Sequence, residues 1–385
     1  MKLIILRIYR FLLSINSVLI INLYIWSKKI FNKNFKVVFF YFPVKAYQDN
    51  MLELIDEINK ENNLEVIIGY SSSGSKGVKN YNKAFFLNLG YLKFVKNVNI
   101  FISSYLVYDF PSSLQKIYIN HDIYDAPMVE KKIENDLIER LNRYNYIFLS
   151  SEISMVNIQK KIETFSTNKN INKKISLVNT GYLKLDHVYK KVSNNNVAED
   201  SILLAPTLSS MFRGYNLSEH LIDLVKKILE NKKFKLIYRP HPGDLLNSEQ
   251  KIIVNDIHKM FRNNKNFTLD DNTSYIESYT KSKILITDFS GTAYTYAFAK
   301  LRPVIFFSKN ETNLKKSNFN NLFYFRDRLD IGTIVENIDN LNNKVYLIDD
   351  QIDDFSSKIK LLRSQRIKFF NNSIEQNLLN IKKLL

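Results

Sequence analysis

The chain has 385 residues, of which 45% are hydrophobic and 13% aromatic. This length and composition suffice for two domains of about 200 residues or fewer, each with a buried core, and exclude a disordered chain. It contains no cysteine, which excludes disulfides, a thiolate nucleophile and a cysteine-ligated metal, and fits a reducing compartment. The net charge of +17 indicates a polyanionic partner: nucleic acid, an anionic membrane surface or a phosphate-rich substrate.

The N-terminal segment 1–33 predicts an amphipathic or hydrophobic helix. Residues 11–27 carry no charge, two arginines precede them and lysines follow, and this stretch is at the lower limit for crossing a bilayer. No small-residue cleavage site follows. With Tyr24 and Trp26 at the distal border, the pattern favours a helix that lies at the anionic cytoplasmic leaflet. The alternative is a buried first helix of the N-terminal domain.

From residue 36 onwards, short apolar runs alternate with helical patterns, which is typical of βαβ units around a parallel sheet in an α/β fold. The predicted strands are 36–43, 64–70, 98–104, 116–120 and 144–151 in the first half and 201–207, 234–240, 266–271, 283–290 and 302–308 in the second. The polar segment 193–200 lacks periodicity and separates the halves. We therefore expect one Rossmann-like domain over 34–195, a second over 196–340, and a helical segment over 341–385.

The clearest polar motif follows the strand that ends at residue 287. Asp288 comes directly after this strand, and Ser290, Gly291 and Thr292 open the next helix. Ligands of open parallel sheets bind beyond the carboxyl ends of the strands, and the unpaired N–H groups and dipole of a helix N-terminus attract anions. The motif therefore indicates either a phosphate site or an ordinary helix N-cap.

A second motif follows strand 234–240, where Arg239 is followed by His241 between two prolines. The prolines restrict the backbone on either side of the histidine. Arg239 offers a planar fork for phosphate oxygens, and His241 can donate a hydrogen bond to a phosphate or transfer a proton. The alternative is a rigid surface turn.

A third motif, His121 with Asp122 and Asp125, follows strand 116–120. A histidine beside carboxylates can be held in one tautomer, as a general base needs. The same residues suit a divalent cation, and a polar surface turn is the third interpretation. All three motifs fall at the same topological edge of their predicted sheets.

In chain order, "NHDIYDAP", "TGYLKLD", "ILLAPTL", "KLIYRPHP" and "ILITDFSGTAYTYAFAKLRPVIFF" resemble the CDP-glycerol glycerophosphotransferase family over residues 116–310. The resemblance implies a GT-B-like fold, with two Rossmann-like doubly wound domains facing a cleft, an N-terminal acceptor domain and a C-terminal nucleotide-donor domain. Members of this family include teichoic acid and capsule polymerases that act at the cytoplasmic membrane.

The resemblance also implies the site residues. His121 matches the family's proposed base, and His241 matches the essential histidine of the donor domain. The substrate-binding residues would be Asp122, Thr207, Arg239, Asp288, Ser290, Gly291 and Thr292. Two of these depart from the family pattern, because Asp122 stands where the family usually has glycine and Gly291 replaces a serine.

The implied function is transfer of a polyol phosphate from a CDP-activated donor to a hydroxyl of a lipid-linked or growing cell-surface polymer. The alternative is a GT-B glycosyltransferase that uses a nucleotide sugar for capsule or surface polysaccharide. No metal or other cofactor is assigned, although a divalent cation would be compatible. The predicted location is peripheral, on the cytoplasmic face of the membrane. Nucleic acid is not predicted as a partner, because the basic residues are dispersed and no nucleic-acid-binding motif is present.

Overall fold

A computed structural model describes residues 2–44, 48–73, 78, 81–124, 131–169, 175–194, 197–211, 214–316 and 322–385. Its contacts divide the chain into two compact units. The first unit comprises Met1–His121, Glu130–Lys184 and Phe369–Leu385, and the second comprises Asp122–Val129 and Leu185–Lys368.

A seven-stranded sheet forms the centre of the first unit. Its strands are β1 (Lys36–Val44), β2 (Leu64–Ser73), β3 (Ala84–Phe86), β4 (Val98–Ser103), β5 (Ser113–Ile119), β6 (Tyr146–Leu149) and β7 (Ser176–Asn179). The strand order is β3-β2-β1-β4-β5-β6-β7, and all described pairings are parallel. The order reverses between β1 and β4.

A six-stranded sheet forms the centre of the second unit. Its strands are β8 (Ser201–Leu204), β9 (Lys235–Tyr238), β10 (Phe267–Leu269), β11 (Ser282–Thr287), β12 (Val304–Phe307) and β13 (Gly332–Val335). The order is β10-β9-β8-β11-β12-β13, again with parallel pairings. The order reverses between β8 and β11, so a crevice is expected where the loops after these two strands diverge.

The described helices cover the sheets. They are α1 (Lys2–Phe31), α2 (Asp49–Asn59), α3 (Lys131–Leu141), α4 (Glu152–Lys169), α5 (Leu183–Ser193), α6 (Leu221–Leu229), α7 (Pro242–Leu246), α8 (Ser248–Phe261), α9 (Ile276–Lys281), α10 (Thr292–Lys300), α11 (Glu311–Lys316), α12 (Phe323–Arg326), α13 (Arg328–Ile331), α14 (Leu341–Asp350), α15 (Ile352–Arg366) and α16 (Ser373–Lys382). Short 3₁₀ helices span Leu89–Phe94, Leu217–His220 and Ile338–Asn340.

Strand β1 shows why a continuous apolar run forms a central strand. Phe39 and Tyr41 belong to the apolar core on one face of the first sheet, and Phe40 and Phe42 to the core on the other face. Alternation of side chains along a strand divides the run between both faces, as parallel sheets covered on both sides require. The predicted α/β architecture with two parallel sheets is confirmed.

The sequence patterns did not predict three strands, β3, β7 and β13. All three are edge strands. The three residues of β3 and the four of β7 are only partly buried. An edge strand needs no continuous apolar run, because one of its sides has no neighbouring strand. Its sequence therefore lacks the pattern that identified the central strands.

Helix α1 confirms the N-terminal apolar helix. Its segment Ile4–Phe31 is long and apolar enough to cross a membrane. One face packs on the first unit, where Ile21 and Ile25 are fully buried, whereas Leu23 is 63% exposed and Trp26 is 59% exposed. Part of the helix is therefore a core helix, as the alternative interpretation expected, and its outer face is an exposed apolar surface.

The contacts divide the chain earlier than the predicted boundary at 195/196, residues which lie outside the described part. The change of unit falls between Lys184 and Leu185, at the start of α5. Val188 of α5 is fully buried. Composition identified the polar segment after α5, but the packing of the helix decides the unit to which it belongs.

The C-terminal segment 341–385 consists of three helices, α14, α15 and α16. Helix α15 ends at Arg366 and α16 begins at Ser373, with Asn371 between them in the left-handed region (φ 61°). The chain changes unit at Phe369. Ile381 of α16 is fully buried in the same core as α2, so the last 17 residues complete the first unit.

Candidate active site

Eight of the nine predicted site residues lie in the second unit, and only His121 belongs to the first. Within the second unit, the loops after β8, β9 and β11 carry seven of the eight. These three strands are neighbours in the order β9-β8-β11. The loops that follow them therefore lie side by side at the carboxyl edge, next to the point where the strand order reverses.

Asp288 joins the loops after β8 and β11. Its carboxylate is 1% exposed and accepts hydrogen bonds from the backbone N–H groups of Thr207 (2.9 Å), Leu217 (2.9 Å) and Phe289 (2.8 Å). Burial raises the pKa of Asp288, and these N–H groups act in the opposite direction. Both carboxylate oxygens accept hydrogen bonds from backbone N–H groups. Asp288 therefore positions the loops after β8 and β11, whereas the sequence predicted that it binds substrate. Thr207 contributes its N–H to this arrangement.

Asp244, which the sequence analysis did not single out, joins the loops after β8 and β9. It is 6% exposed, and its Oδ1 accepts from the Ser209 hydroxyl at 2.6 Å and from the Ser209 N–H at 3.2 Å. Asn216 donates to the Ser209 carbonyl at 2.9 Å. The only sequence signal was an acidic residue in the first turn after Pro242, which is compatible with many helix starts.

The side chain of Arg239 is buried and bonds to other groups of the protein. It is 8% exposed, its guanidinium contacts the Asp270 carboxylate at 2.6 Å, and it donates to the carbonyls of Asn272 (2.9 Å) and Ser274 (3.2 Å). Its planar fork therefore holds the loop after β10 rather than a phosphate. We accordingly reassign Arg239 from substrate binding to positioning.

His241 is the N-cap residue of α7 and has an extended backbone (φ −62°, ψ 135°). Its Nδ1 accepts a hydrogen bond from the Gly243 N–H at 3.0 Å. Because Nδ1 is the acceptor, the proton of the neutral ring lies on Nε2. A Cβ at Gly243 would lie 3.1 Å from this Nδ1 and 2.7 Å from Leu208 Cδ1, so glycine permits the close approach. The ring is only partly buried, and its Nε2–H is a donor suited to an anion.

The motif at the start of α10 has the geometry of a helix cap. The Ser290 hydroxyl accepts from the Thr292 N–H at 3.3 Å, and the Ser290 carbonyl accepts from the Ala293 N–H at 3.1 Å. Ser290 and Thr292 are partly buried and Gly291 is exposed. Ser290 therefore supports the first turn as an N-cap would, although Gly291, the residue directly before α10, has no side chain that could cap it. The hydroxyls of Ser290 and Thr292 lie at the positive end of the helix.

Asp122 contacts this helix start. Its Oδ1 lies 2.8 Å from the position that a Cβ of Gly291 would occupy, and both residues belong to the second unit. The two positions that depart from the family pattern thus touch each other. The carboxylate fits because residue 291 has no side chain.

His121 lies directly after β5 in the first unit. Its Nδ1 is 3.1 Å from the Tyr118 hydroxyl, and its carbonyl accepts a hydrogen bond from the Tyr182 hydroxyl. Tyr118 is 6% exposed and orients the imidazole. The sequence analysis missed it because a tyrosine inside an apolar strand resembles an ordinary core residue. Asp125 lies outside the described residues.

Gly291→Ala tests the contact with Asp122. The backbone of Gly291 (φ −58°, ψ −19°) accommodates alanine, so we expect the free energy of unfolding to change by less than about 1 kcal/mol. The new methyl group displaces the Asp122 carboxylate at the helix start, so binding of CDP, the nucleotide that the sequence resemblance predicts for this site, should weaken at least about fivefold by calorimetry. In an Asp122→Ala background the same substitution should change CDP affinity less than about twofold. An equal loss in both backgrounds would contradict this contact.

No group of three or more His, Cys, Asp or Glu side chains in the described ranges has the arrangement of a metal site.

Comparisons with known proteins agree with this architecture. Residues 215–331 match the model of the LIC12162 family transferases. The minor teichoic acid biosynthesis protein GgaB of Bacillus subtilis (strain 168) is 30% identical over 140 residues. This region covers 36% of the present chain and 14% of GgaB, so the chain spans only a small part of that relative.

Among solved structures, the wall teichoic acid polymerase TagF superposes with a TM-score of 0.62 at 16% identity, covering 91% of this chain and 89% of that one. The Methanocaldococcus jannaschii UDP-GlcNAc 2-epimerase superposes with a TM-score of 0.59 at 13% identity, covering 90% and 99%. At these identities the structural comparisons establish the fold alone. The structural comparisons confirm the GT-B-like fold, and the sequence matches add local similarity to a transferase family and to a teichoic acid biosynthesis protein.

Proposed function

We propose that the protein transfers a polyol phosphate from a CDP-activated donor to a hydroxyl of a lipid-linked or growing surface polymer. The observation that carries this proposal is that His241, with its Nε2–H, and the start of α10 lie at the same carboxyl edge of the second sheet, with only β8 between the strands that precede them. An anion could accept a hydrogen bond from the neutral His241 ring and be attracted by the positive N-terminus of α10. Both groups lie beside the point where the strand order reverses. The similarity to TagF, which was also solved after soaking with CDPG, supports the choice of donor.

In this proposal the second unit holds the donor diphosphate. The hydroxyls of Ser290 and Thr292 and the N-terminal dipole of α10 bind one phosphate, and His241 donates through Nε2 to a phosphate oxygen. As the bond to the departing CMP breaks, these donors stabilise the negative charge that develops on its phosphate. Asp288 and Asp244 keep the three loops together, so that little reorganisation is needed during the reaction.

His121 is the proposed general base. The acceptor hydroxyl forms a new bond to the phosphorus of the polyol phosphate, and its proton passes to His121 Nε2. This requires the tautomer in which Nδ1 donates to the Tyr118 oxygen, 3.1 Å away. The phosphorus–oxygen bond to CMP breaks, and the electron pair leaves with the CMP phosphate.

The second candidate is a glycosyltransferase that uses a nucleotide sugar. The observation that favours it is the fold similarity to UDP-GlcNAc 2-epimerase, whose structure contains UDP-GlcNAc and UDP. In that reaction the acceptor oxygen would attack carbon, and the diphosphate would leave with the nucleotide.

The nucleotide product separates the two reactions. The full-length protein is incubated with membrane acceptor and either CDP-glycerol or a panel of nucleotide sugars, and the released nucleotide is identified by mass. CMP released from CDP-glycerol, dependent on acceptor, supports attack at phosphorus. A nucleoside diphosphate released from a nucleotide sugar, with no turnover of CDP-glycerol, would replace our proposal by the second candidate.

We further propose that the first unit lies on an anionic membrane through the outer face of α1, at the cytoplasmic side. Contacts along the helix hold its inner face on the unit. Asn22 donates to the Phe94 carbonyl at 2.9 Å and accepts from the Lys96 N–H at 2.8 Å, and Lys29 donates to the Asn97 carbonyl at 2.8 Å. A helix tied in this way presents its exposed apolar side chains along its length, as helices in the plane of the interface do.

Replacing Leu19 and Leu23, which are 56% and 63% exposed on α1, by glutamate tests the membrane surface. Each leucine contributes about 1.5–3 kcal/mol when it leaves water, so we expect binding to vesicles of anionic phospholipid to fall at least about tenfold in a flotation assay. Leu361→Glu, at a position 61% exposed in the second unit, is the matched control and should bind as the wild type does. Unchanged flotation of the double variant would exclude α1 as the membrane contact.

A further inference from the structure

A buried tyrosine cluster lies in the second unit, between the segment after His121 and the loop that begins α10. The ring of Tyr124 lies 4.6 Å from that of Tyr294 at 81°, and the ring of Tyr294 lies 5.2 Å from that of Tyr324 at 69°. The three side chains are 4%, 1% and 2% exposed. Edge-to-face packing of this kind fixes the relative orientation of the rings. We call Tyr124, Tyr294 and Tyr324 the tyrosine bridge.

One end of the bridge anchors the segment that follows His121. The Tyr124 hydroxyl donates to the Asp327 carboxylate. Arg366 holds that carboxylate from two nitrogens, at 2.7 Å and 2.9 Å, and Asp327 is 3% exposed. Charge-assisted bonds of this kind are stronger than neutral ones. Tyr124 lies three residues after His121, so its anchor restrains the backbone that carries the imidazole.

The other end of the bridge holds the loop before α10. The Tyr324 hydroxyl lies 3.0 Å from the Ser290 carbonyl and 3.4 Å from the Asp288 carbonyl, to which it donates. The Tyr294 hydroxyl donates to the carbonyl of Tyr324. Each tyrosine is thereby fixed both through its ring and through a hydrogen bond.

We propose that the tyrosine bridge couples the segment 122–124, which directly follows His121, to the phosphate-binding loop 288–292, so that a disturbance of either segment increases the mobility of the other. The Asp122 carboxylate beside Gly291 is a second contact between the same two segments. The three tyrosines act through His121 and through the loop, and therefore are positioning residues rather than catalytic ones. The proposal rests on the proposed function for the roles of His121 and of the loop, but the coupling itself is measurable without a substrate.

The bridge predicts different kinetic effects at its two ends. Tyr324→Phe removes the hydroxyl that holds the loop, so we expect CDP to bind about fivefold to tenfold more weakly. Tyr124→Phe removes the anchor of the His121 segment, so we expect kcat to fall about tenfold while CDP affinity stays within about twofold. Both substitutions keep the ring and hence the packing of the core.

Tyr296→Phe is the matched control. Tyr296 is fully buried in α10, and its hydroxyl donates to the Ser282 carbonyl at 3.0 Å. Ser282 begins β11, at the opposite edge of the sheet from the loop. The control therefore loses a buried tyrosine–carbonyl bond, as Tyr324→Phe does, on the helix that carries Tyr294, and leaves both ends of the bridge unchanged.

Hydrogen–deuterium exchange of the ligand-free, full-length variants tests the coupling. Tyr124→Phe and Tyr324→Phe should each raise exchange at least about threefold in both peptides that cover 117–124 and 288–292, and Tyr296→Phe in neither. An increase confined to the peptide nearest each substitution, or an equal increase in Tyr296→Phe, would overturn the bridge. If the two variants raise exchange in both peptides but the wild-type protein binds no CDP, the bridge stands and the proposed function is refuted. If the wild-type protein releases CMP in the presence of acceptor but the variants show no increase in the distant peptide, the proposed function stands and the bridge is refuted.

Discussion

Replacing His121 by alanine should lower kcat by about 10²–10⁴-fold, the range that a general base contributes. The side chain is partly buried and bonds to Tyr118 at the end of β5, so its removal should leave the first unit folded. The measurement is acceptor-dependent CMP release at saturating CDP-glycerol, with circular dichroism and thermal unfolding as tests of folding.

The pH profile gives this substitution a signature that unfolding would not produce. A general base acts only in its deprotonated form, so we expect kcat/KM of the wild type to fall at low pH and this decrease to be absent in His121→Ala. The matched control is His258→Ala, at an exposed position of α8, which should keep both the rate and the limb. Turnover of His121→Ala within about threefold of the wild type would remove His121 from the reaction.

The second large effect concerns His241, whose two nitrogens have separate tasks. Nδ1 caps α7 by accepting from the Gly243 N–H, and Nε2–H is the proposed donor to the phosphate. His241→Ala removes both and should cost about 1 kcal/mol of stability together with about 10²–10³-fold in kcat.

Asparagine at position 241 separates these tasks, because its Oδ1 can replace Nδ1 as the cap but nothing replaces the Nε2–H. We expect His241→Asn to unfold at the temperature of the wild type and to remain as inactive as His241→Ala. Recovery of most of the activity in His241→Asn would show that the histidine acts only as a helix cap.

Local patterns were sufficient to predict the two sheets and their central strands. In β1 and β4 the apolar runs are continuous because both faces of a parallel sheet are covered. Tertiary packing decides two other features: the edge strands β3, β7 and β13, and the packing of the C-terminal helix α16 on the first unit. The sequence of a short edge strand or of an amphipathic C-terminal helix does not show which element packs against it.

The site was predictable as a set of strand ends, but the roles of its members were not. Arg239 and Asp288 have the chemistry of ligand-binding residues, yet the partners that use them, Asp270 and the N–H groups of Thr207 and Leu217, lie 31 to 81 residues away in sequence. The contact between Asp122 and Gly291 is likewise invisible in the sequence. Long-range polar partners decide whether a charged side chain at a strand end binds a ligand or supports a loop.

The most direct test of the central claim is a crystal structure of the full-length protein with CDP. The account predicts that the diphosphate oxygens lie within hydrogen-bond distance, about 2.7–3.2 Å, of His241 Nε2 and of a hydroxyl at the start of α10, Ser290 or Thr292. A diphosphate bound elsewhere, with these groups making no contact to it, would contradict the assignment of the nucleotide site.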